Sequence, residues 1–432
     1  MQLSLNRPPL PRAVPAIPPE ATARAGAVLL TSTSWWPFTA RIATRFAALG
    51  WRVEAICPPG HPLRTATAVS RVHDYSALRP LAALRASIAT ARPELIVPCD
   101  DRGVAHLHRL HARLDHAEAA AQDVAQDVAR TIARSLGRPE SYPVAERRSE
   151  LIRIAREEGL RAPPMRPVDG PEELRAALAE VGLPAVLKVD GTWGGLGTVV
   201  ARTPAQAEQM RRVLARRLDA ARAVKRLLFD RDPYHLLPWL TGAAPRVNVQ
   251  GFAPGRPANS LAACWNGEVL ASIHVEVLRA NREFGASTVV RVIEHPEMAY
   301  TTERLARRLG LSGFHGFDFV VEDDPGHAHL IEMNPRSTPL CHFALGPGRD
   351  PIAALTARLE GMPPPATAAV TANPVLAFFP QAWLTEPDSD WLRIGYHDVP
   401  WDDPALVREL VRPPYPNRGM LARLLARLRR AP

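Results

Sequence analysis

The chain has 432 residues, of which 46% are hydrophobic and 22% are charged, and its formal net charge is +9. These proportions are ordinary for a globular protein with enough apolar surface for two or three domains. No run of about 18 apolar residues is present, so the sequence predicts no membrane-spanning helix. Four widely separated cysteines offer neither a CxxC pair nor a disulfide framework, which favours a reducing, cytoplasmic location.

Arginine carries nearly all of the positive charge. Among 53 lysines and arginines only two are lysines, Lys188 and Lys225. The arginines are scattered over helix-like segments instead of forming a patch, so we predict no nucleic-acid partner. Residues 1–22 contain six prolines and no apolar segment of the secretory kind, and they are predicted to form a disordered tail.

Short apolar runs alternate with helical patterns between residues 23 and 140. Such alternation predicts a parallel, doubly wound sheet, and the fold class is therefore α/β. The GxGxxG fingerprint of a dinucleotide domain does not follow the first strand. The predicted strands are Ala25–Leu30, Trp51–Ile56 and Glu94–Pro98, and the predicted helices are Thr39–Leu49, Leu78–Thr90 and one that begins at Gly103.

Polar residues follow two of these strands, Thr31–Ser34 after the first and Asp100–Asp101 after the third. Ligands of doubly wound folds bind at the carboxyl ends of the strands, so these residues are candidates for substrate contacts. Loop and helix-capping roles explain the same residue types equally well. Both interpretations stay open at this point.

A glycine-rich stretch near the middle of the chain, AVLKVDGTWGGLGTVV over Ala185–Val200, predicts a β-hairpin, because two apolar runs flank a turn. Glycines lack a Cβ and let backbone N–H groups crowd around a polyanion. Lys188 lies in the first strand of this hairpin, although the chain uses arginine for nearly all of its other cations. It can reach the same anion as a point charge. The predicted phosphate-binding residues are Lys188, Gly194, Gly195 and Gly197.

A second stretch, FHGFDFVVEDDPGHAHLIEMNPR over Phe314–Arg336, predicts another hairpin with its turn around Pro325. Asp318 and Glu332 are equally far from that proline, so folding there places the two carboxylates opposite each other. Alternation along the strands separates a polar face from an apolar face. The polar face is predicted to hold Asp318, Glu332, Asn334 and Arg336, and the apolar face to pair Phe319 with Ile331.

Two carboxylates and an amide oxygen side by side repel one another unless a cation lies between them. Such hard oxygen ligands suit Mg²⁺ or Mn²⁺, and the absence of a His/Cys cluster argues against zinc. We therefore predict a metal site at Asp318, Glu332 and Asn334, with Arg336 able to contact an anion that the metal also binds. A metal site and a phosphate-binding loop together imply a nucleoside triphosphate.

The glycine stretch and the motif EMNPR, Glu332–Arg336, resemble the ATP-grasp superfamily over roughly Ser141–Gly361. The stretch RVNVQGFAPG, Arg246–Gly255, resembles the hinge strand that holds adenine in that family. The resemblance implies an N-terminal parallel-sheet domain followed by a two-subdomain α+β ATP-grasp fold. The implied domains are 23–140, 141–362 with a lid at about 181–252, and a C-terminal extension at 363–432.

The same resemblance implies a role for each matching residue. Lys188 would contact the α- and β-phosphates, and Gln250 and Phe252 would lie in the adenine hinge, where Gly251 replaces a frequent acidic residue. Arg148 stands in place of an ATP-binding lysine. Arg336, together with Arg291, would stabilise the reacting anion.

The implied activity is that of an ATP-dependent carbon–nitrogen ligase. Such an enzyme activates a small carboxylate as an acyl phosphate for attack by an amine and releases ADP and phosphate. One alternative is a bicarbonate-activating relative of carbamoyl phosphate synthase or the carboxylases. The other is a non-catalytic ATP-binding scaffold or sensor. A homo-oligomer is compatible with all three.

A biotin-dependent carboxylase is not expected. In those relatives a glutamate after the metal-binding strand acts as the base towards bicarbonate, and here Leu340 stands where that acid is expected.

Overall fold

The computed structural model of the protein describes residues 26–115, 122–190, 197–215 and 246–412. The predicted N-terminal tail, Gly194 and Gly195 lie outside the described residues, as do an aromatic segment (Lys225–Ala244) and a basic amphipathic terminal pattern (Met420–Arg430). No helix in the described ranges combines the length and the apolarity that crossing a membrane requires.

A four-stranded parallel sheet in the order β3-β2-β1-β4 forms the N-terminal unit. Its elements are β1 (Ala27–Thr31), α1 (Thr39–Ala48), β2 (Arg52–Cys57), β3 (Arg71–Asp74), α2 (Pro80–Ala91), β4 (Leu95–Pro98), α3 (Asp101–Asp115) and α4 (Gln122–Leu136). Every residue of β1 and β4 is buried, as expected for a parallel sheet covered on both faces. The α/β class is confirmed. Strand β3 was not predicted, because RVHD is polar and only partly buried at the sheet edge.

The two faces of this sheet belong to two different cores. On one face, Leu29 and Ile96 pack with side chains of α2, α3 and α4. On the other face, Leu30 packs with Phe46 of α1 and with Phe314 of the large sheet described below. The N-terminal unit and the rest of the protein therefore share one continuous apolar core.

A small antiparallel sheet in the order β5-β8-β6-β7 follows; we call this unit the lid. The elements up to its end are α5 (Tyr142–Glu146), α6 (Arg148–Glu157), β5 (Met165–Val168), α7 (Pro171–Val181), β6 (Ala185–Val189), β7 (Thr198–Ala201), α8 (Pro204–Leu214) and β8 (Val247–Gly251). The predicted glycine hairpin is confirmed, with Lys188 opposite Thr198. The lid has a core of its own, built on Leu187 and Val249.

A seven-stranded sheet in the order β13-β12-β9-β10-β11-β14-β15 forms the base of the molecule. Its strands and flanking helices are β9 (Arg256–Trp265), β10 (Glu268–Ala280), β11 (Ser287–Val292), α9 (Pro296–Leu309), β12 (Gly313–Val321), β13 (Ala328–Asn334), α10 (Pro351–Glu360), β14 (Val375–Ala377), α11 (Gln381–Thr385), α12 (Trp391–Ile394), β15 (Tyr396–His397) and α13 (Pro404–Leu410). Asn266 and Gly267 join β9 to β10 with φ of +48° and +86°, the left-handed conformation that a tight hairpin turn requires.

The segment after residue 363 packs against the body of the protein. Strand β14 pairs with β11 and so extends the base sheet. Asp403 caps α13 and also accepts hydrogen bonds from the backbone N–H and the hydroxyl of Thr67. Leu406 packs against Ala40 of the N-terminal unit. The boundaries predicted for the tail and for the three domains stay predictions.

Candidate active site

Asp318 and Glu332 lie opposite each other on β12 and β13, as the sequence predicts. The ladder is irregular at the next pair, where Phe319 lies opposite Leu330. The predicted pairing of Phe319 with Ile331 is therefore wrong, because a β-bulge inserts Ile331 as an extra residue. Leu330 takes the buried apolar position, and Ile331 is only partly buried.

Asp318 is held by two amides. Asn259 of β9 donates a hydrogen bond of 2.6 Å to Oδ1, and Asn334 donates one of 3.1 Å to Oδ2. Burial and the nearby Glu332 carboxylate raise the pKa of Asp318 to about 6. The raised pKa reflects negative charge that the surrounding protein groups do not fully balance.

Glu332 is held by cations. Arg148, the first residue of α6, donates a 2.8 Å hydrogen bond from Nη2 to Glu332 Oε1. Burial would raise the pKa of Glu332, but the charges of Arg148 and Lys188 outweigh it and lower that pKa. The two facing carboxylates thus differ in their hydrogen bonds, since Glu332 accepts one from an arginine, whereas those that Asp318 accepts come from amides.

Arg148 also connects the base sheet to the lid. Its Nη1 donates a 2.7 Å hydrogen bond to the carbonyl of Val189, at the end of β6, and lies 3.6 Å from Asp190 Oδ1. Burial opposes the charge of Arg148, but Glu332 and Asp190 raise its pKa, so the side chain stays a cation. The predicted replacement for the family's lysine is therefore part of the cluster.

Lys188 points from the lid towards the base sheet. It lies opposite Asn248 of β8, and its Nζ is 3.5 Å from the carbonyl of Ile331. Gln250 Nε2 lies at the same distance from that carbonyl. Lys188 is only 6% exposed, and burial lowers its pKa. The carbonyl of Ile331, the residue of the β-bulge, thus accepts from both Lys188 and Gln250, two of the predicted nucleotide-binding side chains.

Arg336 follows β13 and reaches the N-terminal unit. Its Nε donates a 2.9 Å hydrogen bond to Asp101, its Nη2 donates one of 3.2 Å to Asn334 Oδ1, and its guanidinium lies 5.7 Å from the ring centre of Trp36. Burial opposes its charge, but Asp101 raises its pKa. The N-terminal unit therefore supplies part of the surroundings of β13 and of the residues that follow it.

Asp100 has a structural place beside this contact. Its carboxylate accepts hydrogen bonds from the side chains of Ser32 and Thr33 and from the backbone of Thr33, Ser34 and Gly103. Ser32, Thr33, Ser34 and Asp100 were all candidates for substrate contact, and in the structure they hydrogen-bond to one another. Asp101 alone turns towards Arg336.

Arg291 is not brought to the cluster. It lies opposite Glu276, which lies opposite Ala258, which in turn lies opposite Phe319. Opposed residues share a face and neighbouring residues alternate, so this row is on the other side of the sheet from Asp318. The catalytic role predicted for Arg291 has no geometric support.

The hinge and the glycine loop are described in part. Phe252 follows β8 and is 41% exposed. Gly197 has a φ of +75°, which favours glycine, and its carbonyl accepts a 3.2 Å hydrogen bond from Val189.

Comparisons with known proteins agree with this arrangement. The model of a family described as ATP-grasp domain matches residues 247–339, which include β8 and the strands β12 and β13 that carry Asp318 and Glu332. Over these residues the chain is similar to ATP-grasp domains. The large chain of carbamoyl phosphate synthase from Deinococcus deserti is 26% identical over 227 residues, which are 51% of this chain and 20% of that protein. The chain thus matches only about a fifth of that relative.

Solved structures share the ATP-grasp architecture over most of the chain. N5-carboxyaminoimidazole synthase from Aspergillus clavatus, in complex with ADP and 5-aminoimidazole ribonucleotide, has a TM-score of 0.56 at 13% identity and covers 81% of each chain. An L-amino acid ligase from Bacillus licheniformis has a TM-score of 0.54 at 13% identity and covers 78% of this chain and 76% of its own. At these identities the likeness establishes the fold.

The donor set of this site fits a divalent cation at Asp318 and Glu332. Both are hard oxygen donors, and the raised pKa of Asp318 marks negative charge that a cation would stabilise. Asn334 now directs its N–H to Asp318 and its Oδ1 to Arg336. In the described ranges no group of three or more His, Cys, Asp or Glu side chains is placed to hold a metal, so the amide would have to complete the set.

Several groups of the site were not predicted from the sequence. Asn259 and Asn248 stand inside unremarkable strands, and Asp190 follows the lysine strand, where it accepts a 2.9 Å hydrogen bond from Asn248. Trp36 lies in the loop between β1 and α1 and was not predicted to belong to the site. Local spacing could have suggested Asn248, because it is two positions from Gln250 on the same strand face.

Proposed function

We propose that this chain is an ATP-dependent ligase that activates a carboxylate as an acyl phosphate for attack by an amine, with release of ADP and phosphate. One observation carries the proposal. Lys188 from the lid, Arg148 from α6 and the carboxylates of Asp318 and Glu332 from the base sheet converge in one place. Cations for phosphates and oxygens for a metal are what phosphoryl transfer requires.

Mg²⁺, or Mn²⁺, would be held by Asp318, Glu332 and Asn334. Such an ion, when bound, neutralises charge on the β- and γ-phosphates. Asp318 would be the readier ligand of the two carboxylates, because its side-chain hydrogen bonds come from amides and not from an arginine. Glu332 is released for this task once Arg148 turns to a phosphate.

The nucleotide would lie between the lid and the base sheet. Lys188 and Arg148 would bind its inner phosphates, together with the backbone of the loop that contains Gly194, Gly195 and Gly197. Gln250 and Phe252 would border the adenine. Closure of the lid would exclude water that hydrolyses an acyl phosphate.

Arg336 would stabilise the anion that reacts with the terminal phosphoryl group. It is a buried cation beside the metal-binding face, and its partners leave part of its hydrogen-bonding capacity unused. We leave Arg291 out of this proposal, because its row of the sheet faces away from Asp318.

A bicarbonate-activating enzyme is the second candidate, and the sequence match to carbamoyl phosphate synthase favours it. Both candidates use the same phosphates and metal but differ in the acid that is activated. Biotin-dependent carboxylation is not proposed, because Leu340 is buried, is only 4% exposed and cannot take a proton. No contact among the described residues favours a purely non-catalytic scaffold.

A screen tests the proposal. Purified protein with Mg²⁺ and ATP is mixed with pairs of small carboxylic acids and amines, or with bicarbonate, and ADP release is recorded. The matched control is Glu332→Gln. Release that needs both an acid and an amine supports ligation, and release with bicarbonate alone supports the second candidate. Failure of the protein to bind ATP would refute both.

A further inference from the structure

Arg336 is surrounded by groups from two separate parts of the chain. Asn334 and the carbonyl of Ser337 are its neighbours along the chain, at 3.2 Å each. Asp101 and Trp36 come from the N-terminal unit and are more than 200 positions away. Local sequence therefore accounts for only half of the contacts that orient this guanidinium.

Asp101 and Trp36 are themselves firmly placed. Asp101 is the first residue of α3, directly after Asp100, which binds the loop that leads to Trp36. Next to Arg336, the backbone N–H and the hydroxyl of Ser337 both donate to the carbonyl of Pro98, at 3.0 and 3.2 Å. These hydrogen bonds join the end of β4 to the segment that carries Arg336, and Asp100 joins the end of β4 to the loop after β1.

The electrostatics around Arg336 require such a restraint. Arg336 lies beside Asp318, whose charge helps to raise its pKa, and a mobile guanidinium would be drawn towards the site's carboxylates. Asn334 separates the two by donating to Asp318 and accepting from Arg336. Asp101 accepts from Nε, whereas Asn334 accepts from Nη2, so Asp101 supplies a separate carboxylate that is not part of the predicted metal site.

We propose that Asp101 and Trp36 are positioning residues that hold Arg336 beside the metal-binding carboxylates, free to meet the third phosphate of the nucleotide. This inference rests on the proposed function, in which Arg336 stabilises the terminal phosphoryl group. The aromatic ring limits sideways movement through its cation–π contact, and the carboxylate fixes the Nε edge. The N-terminal unit thereby sets how well the site distinguishes a triphosphate from a diphosphate.

The test compares two nucleotides by calorimetry on the full chain, Mg²⁺ with the non-hydrolysable ATP analogue AMPPNP and Mg²⁺ with ADP. Asp101→Asn and Trp36→Leu should each weaken AMPPNP binding, the former by about tenfold, which corresponds to the loss of one charge-assisted contact. ADP binding should change by less than about twofold, because Arg336 is not directed at the inner phosphates. Asp101→Glu keeps the carboxylate and should restore most of the preference.

The control is Asp323→Asn, which removes an exposed carboxylate paired with Arg256 on the base sheet. It should leave both affinities unchanged. Equal weakening of AMPPNP and ADP by Asp101→Asn would overturn the inference, because it indicates general damage to the fold. The inference would also be overturned if Arg336→Gln kept the same preference for AMPPNP over ADP. That result would not contradict the proposal that the protein binds ATP. Absence of nucleotide binding by the unmodified protein would instead refute the proposed function itself.

Discussion

Arg148 donates a hydrogen bond of 2.8 Å to Glu332, a residue 184 positions further along the chain. The Arg148 guanidinium thus lies beside a carboxylate that is predicted to bind a metal. It also donates a hydrogen bond to the carbonyl of Val189 in the lid. Arg148 is therefore a protein-borne counter-charge for Glu332. Binding of Mg²⁺ and ATP would redistribute these contacts, with the metal on the carboxylate and Arg148 on a phosphate.

Replacing Glu332 by glutamine should abolish magnesium-dependent turnover. The change keeps the shape of the side chain but removes the charge that attracts the metal and balances Arg148. The fold should persist, with a melting temperature within about 5 °C of the original, since 1 kcal/mol shifts the midpoint of a protein of this size by only a few degrees. ADP release and thermal melting measure the two effects. Glu322→Gln, in the same hairpin, is the matched control, and normal turnover by Glu332→Gln would contradict the metal assignment.

Replacing Lys188 by alanine should raise the dissociation constant for Mg²⁺·AMPPNP by at least about tenfold, because a charge-assisted contact to phosphate is lost. Burial already disfavours the charge of Lys188 in the nucleotide-free protein, so its removal should not lower stability. Calorimetry measures the affinity. The exposed Arg202, which follows β7 on the same hairpin, provides the control Arg202→Ala. An unchanged affinity in Lys188→Ala would rule out the phosphate contact.

Sequence spacing was sufficient to predict each hairpin of the site by itself. The glycine hairpin forms with Lys188 in the expected strand, and counting from Pro325 correctly places Asp318 opposite Glu332. These are local relationships, in which a turn and an alternation decide the register. The same counting fails one pair further on, because a β-bulge at Ile331 has no signature in the local pattern of apolar residues.

Relationships between distant segments could not be predicted from the sequence. Nothing near Asp101 indicates that it meets Arg336, and nothing near Asn259 indicates that it holds Asp318. The role that the resemblance implies for Arg291 stays a prediction without geometric support, because its row lies on the other side of the base sheet from Asp318. Which strands become neighbours depends on packing of the whole chain.

Acid should destabilise the protein through its buried histidines. His315 is 3% exposed, with Nε2 2.8 Å from the carbonyl of Ser312, and burial lowers its pKa to about 4. The unfolded chain binds a proton near pH 6.5, before the folded protein does, so stability falls as the pH drops below 6.5 towards 4. Between pH 7 and pH 5 this one residue should account for about 2 kcal/mol of unfolding free energy.

Chemical denaturation at pH 7 and pH 5 checks this effect. His315→Gln should lose less stability on acidification than the unmodified protein, by about the same 2 kcal/mol. The partly exposed His327, in the turn between β12 and β13 of the same hairpin, gives the control His327→Gln. Identical pH dependence in His315→Gln and the unmodified protein would show that His315 is not held neutral by burial.

The products of turnover should be ADP and phosphate, not AMP and pyrophosphate. The outcome depends on which phosphorus atom the acceptor attacks. A carboxylate acceptor needs its own charge and that of the γ-phosphate screened together, and the oxygens of Asp318 and Glu332 lie opposite each other, where one metal site can serve both. Lys188 and Arg148 approach from the lid side and from α6, so they would restrain the inner phosphates, which stay with the leaving group.

An adenylating enzyme would need a different distribution of charge. Cations would have to gather on a departing pyrophosphate and leave the α-phosphorus open. In the described part of the chain, the cations of the site are Lys188, Arg148 and Arg336, and all three flank the same pair of carboxylates. Phosphorus NMR of the nucleotides after turnover with a competent acid and amine decides the question. One ADP and one phosphate per product formed are expected, and stoichiometric AMP with pyrophosphate would overturn the acyl-phosphate mechanism.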